Sequence, residues 1–563
     1  MIVSNSVLYL QRKSSLICDI LKRSSPSLAL ILFSSFFCIP VLIVCGSLFL
    51  PFDETWTHLV DTVLSDYVLN SFYLLIGVGF FSLLLSVVPA WLVTMYKFPG
   101  SRYLQWAILL PMSMPAYIIA YSYTGAFDAA GPVQTTIRDM TNLQYNEYWF
   151  PEIRSLGGAI AMLSFVLYPY IYLLARASFI EQSVCVLEVS RTLGCNALGA
   201  FKRVALPLAR PAIIVGLSLV LMETLADYGT VQYFGISAFT TGIFKTWFGM
   251  DNSLVASQLS AILLLFVFVF LFLERRSRKL LTLHHTSNRY SPLTKEKLTG
   301  IRGFLSFIVC FTPLLFGFII PVSFLVDWAI NAYSQVFDID FYRLFMNSIF
   351  LAFITSLLAL FIALLLGYIN RNNFSLVNRF LVRFISLGYA VPGTVIAIGV
   401  LIPFAWFDNK LDNFLIINFN TSSGLLISGT LFILIFAYLV RFLTIPINTV
   451  EASLEKIKPG VDEVAKTTGM SHFNLMKKIH IPIMRGSLLT CLLLVFVDVL
   501  KELPATLILR PFNFNTLAVR TFELANEERL AEAAVPALAI VIAGIIPVII
   551  ISNSISRSRP GYE

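Results

Sequence analysis

The sequence predicts an all-α polytopic membrane protein, with about twelve transmembrane helices arranged as two parallel six-helix repeats. Three observations predict it. First, the 563 residues are 57% hydrophobic and only 13% charged, with a mean hydropathy of +0.81; a soluble domain has about 25% charged residues. Second, apolar runs of about 18 or more residues, which need a bilayer as solvent, recur along the chain. Third, landmarks of the first half return in the second at a nearly constant offset.

Taken in order, the runs lie near 27–50, 70–96, 104–124, 156–175, 211–230, 254–273, 303–325, 347–369, 384–404, 424–440, 486–502 and 533–553. The first follows Arg12, Lys13, Lys22 and Arg23. It is too long for the apolar core of a signal peptide and reads as an uncleaved span. The fifth and eleventh are the weakest, because each carries acidic residues. With the amino terminus in the cytoplasm, most of the 40 Lys and Arg fall in cytoplasmic segments, and most of the 32 Asp and Glu fall outside. This positive-inside asymmetry puts both termini in the cytoplasm; the cell inner (plasma) membrane is the expected location. The net charge of +8 then describes one face of a lipid-embedded protein, not a nucleic-acid binder.

The repeat is explicit from Asn70-Ser71, which matches Asn347-Ser348 at an offset of 277, as do Arg102 with Arg379 and Pro115 with Pro392. From Ala177-Ser178 against Ala452-Ser453 the offset is 275, and it is read as holding to Thr246 against Thr521. The first half is residues 1–290, with its repeated unit at about 66–274. The second is 291–563, with its unit at about 343–554. A basic cytoplasmic linker, 274–302, joins them. Six is even, so both copies enter from one side, and a translocation path between the halves is the natural inference.

Cysteine and histidine add little. The seven Cys (Cys18, Cys38, Cys45, Cys185, Cys195, Cys310 and Cys491) are odd in number, form no CxxC and read as free thiols. The His residues do not cluster, and His284-His285 reads as solvated in the linker. No metal site and no catalytic residue is assigned.

The duplicated polar stretch is the most informative feature. Residues 188–207 read EVSRTLGCNALGAFKRVALP, and 463–482 read EVAKTTGMSHFNLMKKIHIP. Glu188, Gly194 and Pro207 match Glu463, Gly469 and Pro482. Lying between apolar runs, each stretch must sit outside the bilayer. Glu188 and Arg191, like Glu463 and Lys466, stand three apart on one helix face. Gly194 and Gly469 then permit a tight turn between two short helices; close packing against the chain's own helices is the alternative reason for a glycine there. Leu193, Ala197 and Phe201 form an apolar stripe fit for a partner's groove. Pro207 and Pro482 sit where a new helix would start.

These paired stretches resemble the EAA loop of ATP-binding-cassette importer permeases, with Val in place of the family's first Ala in both copies. The resemblance covers nearly the whole chain as two fused units. It implies a transport subunit, not an enzyme, with the loops docking on two copies of a cytoplasmic ATPase. It also implies delivery of cargo by an outer or periplasmic substrate-binding protein. Residues 222–249, METLADYGTVQYFGISAFTTGIFKTWFG, are similar to the matching segment of ferric-iron importer permeases; related fused permeases handle thiamine or aminophosphonates. The chain binds no cofactor in this reading. It has no GxxxxGK[ST] phosphate loop, so ATP is used by the partner.

The path itself is expected at four carboxylates. Glu223 and Asp227 lie in the fifth run, and Asp498 and Glu502 take the matching places in the eleventh. The i,i+4 spacing is expected to put each pair on one helix face. An acidic residue within a span costs about 2.5–3.5 kcal/mol on insertion scales and usually faces a bundle interior or a cavity. Four carboxylates facing one another would attract a multivalent cation, because hard cations favour oxygen. The competing expectation is that they are solvated at the outer mouth, or paired with Lys501 and Lys245. A secondary transporter shares the two-half plan but has no reason to duplicate the polar stretch. No nucleophile elbow or metal-ligand spacing points to a membrane enzyme.

Overall fold

Twelve apolar runs fold as helices because only a helix satisfies its own backbone in lipid. The computed structural model describes residues 30–144, 147–181, 194, 196–279, 295–372 and 376–557. Among these, ten helices are long and apolar enough to cross a membrane, and two bent helix pairs bring the number to twelve. The first half contributes Leu30–Phe49, Leu64–Met95, the bent pair Ser101–Ser113 with Ala116–Thr141, Leu156–Ile180, Leu198–Ala226 and Ser253–Phe272. The second contributes Gly300–Ser334, Ile339–Arg371, Gly393–Phe419, the bent pair Leu431–Phe442 with Thr444–Glu455, Phe473–Leu500 and Leu530–Ile550. These are called the first to twelfth spans below.

Several spans depart from the straight rods expected. The third bends by 91° at Pro115, whose backbone is extended (ψ 144°). Pro392 has the same ψ of 144° just before Gly393. Proline removes a helical donor and pushes its predecessor out of the helical region, so both copies break at the same place. The tenth span bends by 48° after Phe442, and the helix Thr444–Glu455 lies where the apolar run ending at 440 predicts cytoplasmic loop. The long α-helices of the fifth and eleventh spans start at Leu206 and Ile481, with Pro207 and Pro482 in their first turns, where a new start is expected. A five-residue π-turn, Phe201–Ala205 or Met476–His480, precedes each proline and accommodates it.

Packing does not follow the sequence halves. One core joins the second to fifth spans to the seventh and twelfth. The other joins the eighth to eleventh to the first and sixth. Each core therefore takes two outer spans from the opposite half. Phe36 of the first span meets Phe436 of the tenth with ring centroids 4.6 Å apart. Tyr123 of the third donates to the Phe316 carbonyl of the seventh at 2.7 Å.

Matching hydrogen bonds show the repeat in three dimensions. Asn70 Nδ2 donates to the Ser237 carbonyl (2.9 Å), and Asn347 Nδ2 to that of Asn515 (3.2 Å). The Phe239 amide donates to Ser71 Oγ, and the Leu517 amide to Ser348 Oγ. These partners are offset by 278, because the connection at 510–515 is three residues longer than its counterpart. Thr246 and Thr521, aligned at 275, are thus not structural equivalents. The end of the linker docks on the second span: Glu296–Lys297 pairs in parallel with Tyr96–Lys97, and Lys295 Nζ donates to the Val93 carbonyl at 2.7 Å.

Candidate coupling loops and translocation cavity

Both polar stretches turn at a left-handed glycine. Pro459–Thr467 is a helix, and Gly469 follows it with φ +77° while Gly194 has φ +83°. The Met470 amide donates to the Ala465 carbonyl at 3.2 Å, the closure in which a left-handed glycine satisfies the last carbonyls. Among the described residues, a Cβ added at either glycine meets nothing within 4 Å. Turn geometry, not close packing, therefore explains both glycines. Beyond the turn, Asn196 Oδ1 accepts from the Gly199 amide (2.7 Å), and Ser471 Oγ accepts from the Asn474 amide (3.4 Å), at matching positions.

Glu463, Pro207 and Pro482 are exposed. Glu188, Arg191, Leu193 and Cys195 lie outside the described residues. Phe201 does not present a stripe to a partner; its ring packs on Trp91, with centroids 5.2 Å apart. Leu198 and Phe473, which match at 275, are instead exposed at 62% and 65%. The second stretch is also latched. Asp462 accepts from Arg371 Nε at 2.7 Å and lies 2.9 Å from His480 Nε2. Burial opposes its charge, but these hydrogen bonds outweigh that and hold the Asp462 carboxyl below the usual carboxylate range. The first half has Thr94, Leu187 and Ala205 at the matching positions, so the latch is one-sided.

Far from these loops, a cavity of about 100 Å³ lies between the halves. Glu223, Asp227, Asp498 and Glu502 all line it. Their positions differ from the expected helix faces. The helices end at Ala226 and Leu500, so Asp227 and Glu502 fall beyond them and serve the next short helices. Asp227 accepts from the amides of Thr230 (3.0 Å) and Val231 (3.2 Å). Glu502 Oε1 accepts from the Ala505 amide at 3.3 Å. Gly229 and Pro504, two residues on, are the sequence signals for these stops. Glu502 is only 4% exposed, so it is not solvated at an outer mouth.

Two cations face the carboxylates. Lys501 Nζ lies 2.9 Å from Asp498 Oδ1, one of the pairings weighed from sequence. Arg441, grouped by sequence with a cytoplasmic loop, is instead buried in the cavity wall. Its Nη1 donates to Glu502 Oε1 at 2.8 Å, and its Nη2 lies 3.6 Å from Glu223 Oε2. A buried guanidinium is tolerable only with such partners, and neither partner is adjacent in sequence, so hydropathy alone could not place it. Tyr117, Tyr170 and Tyr228 complete the polar lining. Among the described residues, no three His, Cys, Asp or Glu side chains are grouped so as to hold a metal ion.

The family model for the binding-protein-dependent transport system inner membrane component matches residues 82–281 and again 357–559. The Fe(3+)-transport system permease protein FbpB 2 of Haemophilus influenzae is 24% identical over 87% of this chain and 90% of its own length. The sulfate transport system permease protein CysT of Salmonella typhimurium is 25% identical over 38% of this chain and 76% of its own. The molybdenum transport system permease protein ModB of Escherichia coli is 25% identical over 27% and 64%. Two matched units, a duplicated polar turn and a polar cavity between parallel halves lead to one conclusion: this chain belongs to the binding-protein-dependent transport system inner membrane components, as two permease units fused in one polypeptide.

Proposed function

We propose that this permease carries ferric iron inward between its halves, with the Gly194 and Gly469 loops on the cytoplasmic side. Two copies of a separate ATPase dock on those loops, and an outer binding protein supplies the cargo. The observation that carries the cargo reading is the charge of the cavity. Four carboxylates face two cations, and both cations are already bonded to carboxylates. An oxyanion of the sulfate or molybdate kind would meet net negative charge and two cations already paired with carboxylates. A multivalent cation would meet oxygen ligands of the type hard ions prefer. The similarity to a ferric permease over most of both chains supports the same reading.

Docking rests on two exposed apolar side chains, Leu198 and Phe473, beside two left-handed turns outside the spans. Two equivalent turns suit two identical partners. The test is uptake into vesicles holding the whole assembly, with ferric iron competed by thiamine, aminophosphonate and sulfate. Iron uptake should resist all three competitors and fall at least about tenfold in Glu223→Gln/Asp498→Asn, with the assembly intact. Undiminished uptake in that double variant would reject the cation path, and competition by thiamine or aminophosphonate would reassign the cargo.

A further inference from the structure

The cavity breaks the two-fold symmetry of the fold at one place. Arg441 has Val166 at its matching position in the first half, and Lys501 has Ala226. Val166 and Arg441 both line the cavity, so they occupy equivalent walls. Both cations thus come from the second half, while the first half brings Glu223 and Asp227 with no cation of its own. Asp227 is committed to the amides of the short helix after it. Glu223 is ion-paired with Arg441 at 3.6 Å and also feels the charge of Lys501. Within the cavity, Arg441 is therefore the cation ion-paired across the two halves.

The backbone has been kept bare for it. A Cβ on Gly393 would press on Glu502 Oε1 and Arg441 Nη1, the ends of two side chains that must shift to admit it. The matching residue in the first half is Ala116, where no such pair exists. Yet the arrangement is not tuned for stability. Among the described residues, Arg441 Nε and Glu502 Oε2 are buried with no hydrogen-bond partner. A buried pair with orphaned atoms on both members is costly against an apolar replacement. A buried carboxylate oxygen with no protein donor, beside the cavity, is an acceptor open to a cation.

We propose that Arg441 is a tethered counter-cation that ties the halves together while the path is empty, and that an arriving multivalent cation displaces it. The guanidinium holds Glu223 of one half and Glu502 of the other. A trivalent ion taking those oxygens repels the guanidinium and releases the tie. The displacement rests on the cation reading above; the tie does not.

The test uses the complete permease–ATPase complex in vesicles without ATP or binding protein, and measures passive entry of thallous ion. Arg441→Met/Glu502→Gln removes one positive and one negative charge together, so no buried charge is stranded. It should raise the leak at least about tenfold, and Glu223→Gln should raise it similarly. Combining all three should add nothing further, because one tie is lost in each case. Arg441→Lys should keep the leak near the wild-type level. Gly393→Ala, which alters no charge, should also leak. External gallium citrate, a redox-inert trivalent probe, should raise the wild-type leak severalfold and leave the double variant unchanged. Unchanged leak in both Arg441→Met/Glu502→Gln and Gly393→Ala, each inserted and assembled, would overturn the tie. A wild-type leak indifferent to gallium would overturn the displacement. Raised leak in the variants, in a wild type that imports no iron, would keep the tie and discard the cargo assignment.

Discussion

Replacing both loop glycines with valine should uncouple the permease from its ATPase without disturbing insertion. Gly194 and Gly469 hold φ of +83° and +77°. An L-residue in that region costs about 1–2 kcal/mol, and a β-branched one lies at the upper end or beyond. No steric term adds to this, since an added Cβ meets nothing within 4 Å. Each loop then loses its turn by a factor of about 5–30. The loops are separate in sequence and should add to about 2–4 kcal/mol in the double variant. Asn tolerates the left-handed region and also ends helices there. Gly194→Asn/Gly469→Asn should therefore retain most of the function that Gly194→Val/Gly469→Val loses. The assay is ATPase recovered per permease on purification, together with ATP-driven uptake in vesicles. Wild-type values in the valine pair would refute the turn argument. Equal damage by asparagine would show that side-chain bulk, and not φ, is what the partner reads.

Three further outcomes can be checked. Asp462→Asn should free the helix Pro459–Thr467 from Arg371 and His480, speeding its hydrogen exchange and lowering uptake severalfold, whereas Leu187→Asn should leave the first loop's exchange unchanged. Because the Asp462 carboxyl is held below its ordinary value of about 3.9, the latch is fully present above that pH and is lost as pH falls through the folded value. Burial, with repulsion from Arg176 and Lys97, lowers the Lys295 ammonium to about 8. Between about 8 and its unfolded value near 10.4 the undocked linker binds more protons, so docking should strengthen as pH rises, seen as a larger protection factor for the Leu298 amide (its exchange rate divided into the base-catalysed intrinsic rate) at pH 10 than at pH 8. Finally, native Cys195 and a Met470→Cys variant should react with impermeant thiol reagents from the cytoplasmic side alone; labelling from outside would invert the proposed orientation.

The spans were legible because lipid imposes a length and a composition on any helix that crosses it, and twelve runs meet both. The duplicated turn was legible because Gly marks a left-handed position in a polar helix pair. The bends at Pro115 and Pro392 were half-legible: both prolines entered the repeat as landmarks, while the 91° consequence in one copy depends on what packs around it. The cavity was legible only on its acidic side. Asp498 and Glu223 lie within predicted runs, so hydropathy flags them. Arg441 sits at the edge of a run, where charge counting assigns it to the loop, and its partners lie 61 and 218 residues away in sequence. Helix ends at Ala226 and Leu500 were missed because the i,i+4 rule assumes a helix that continues, and Gly229 and Pro504 say that it does not.

The exchanged outer spans carry a consequence for how such a chain could arise and be taken apart. Neither half holds a complete core, so cutting the linker should not yield two self-sufficient pieces; each would expose the surface that the other's first and last spans cover. Two unfused copies of such a unit would form an obligate pair with no stable monomer. Joining them fixes the stoichiometry at one to one and gives each copy a permanent, distinguishable neighbour. Only then can one copy carry Arg441 and Gly393 while the other keeps Val166 and Ala116, because no assembly with two arginines, or with none, is ever made.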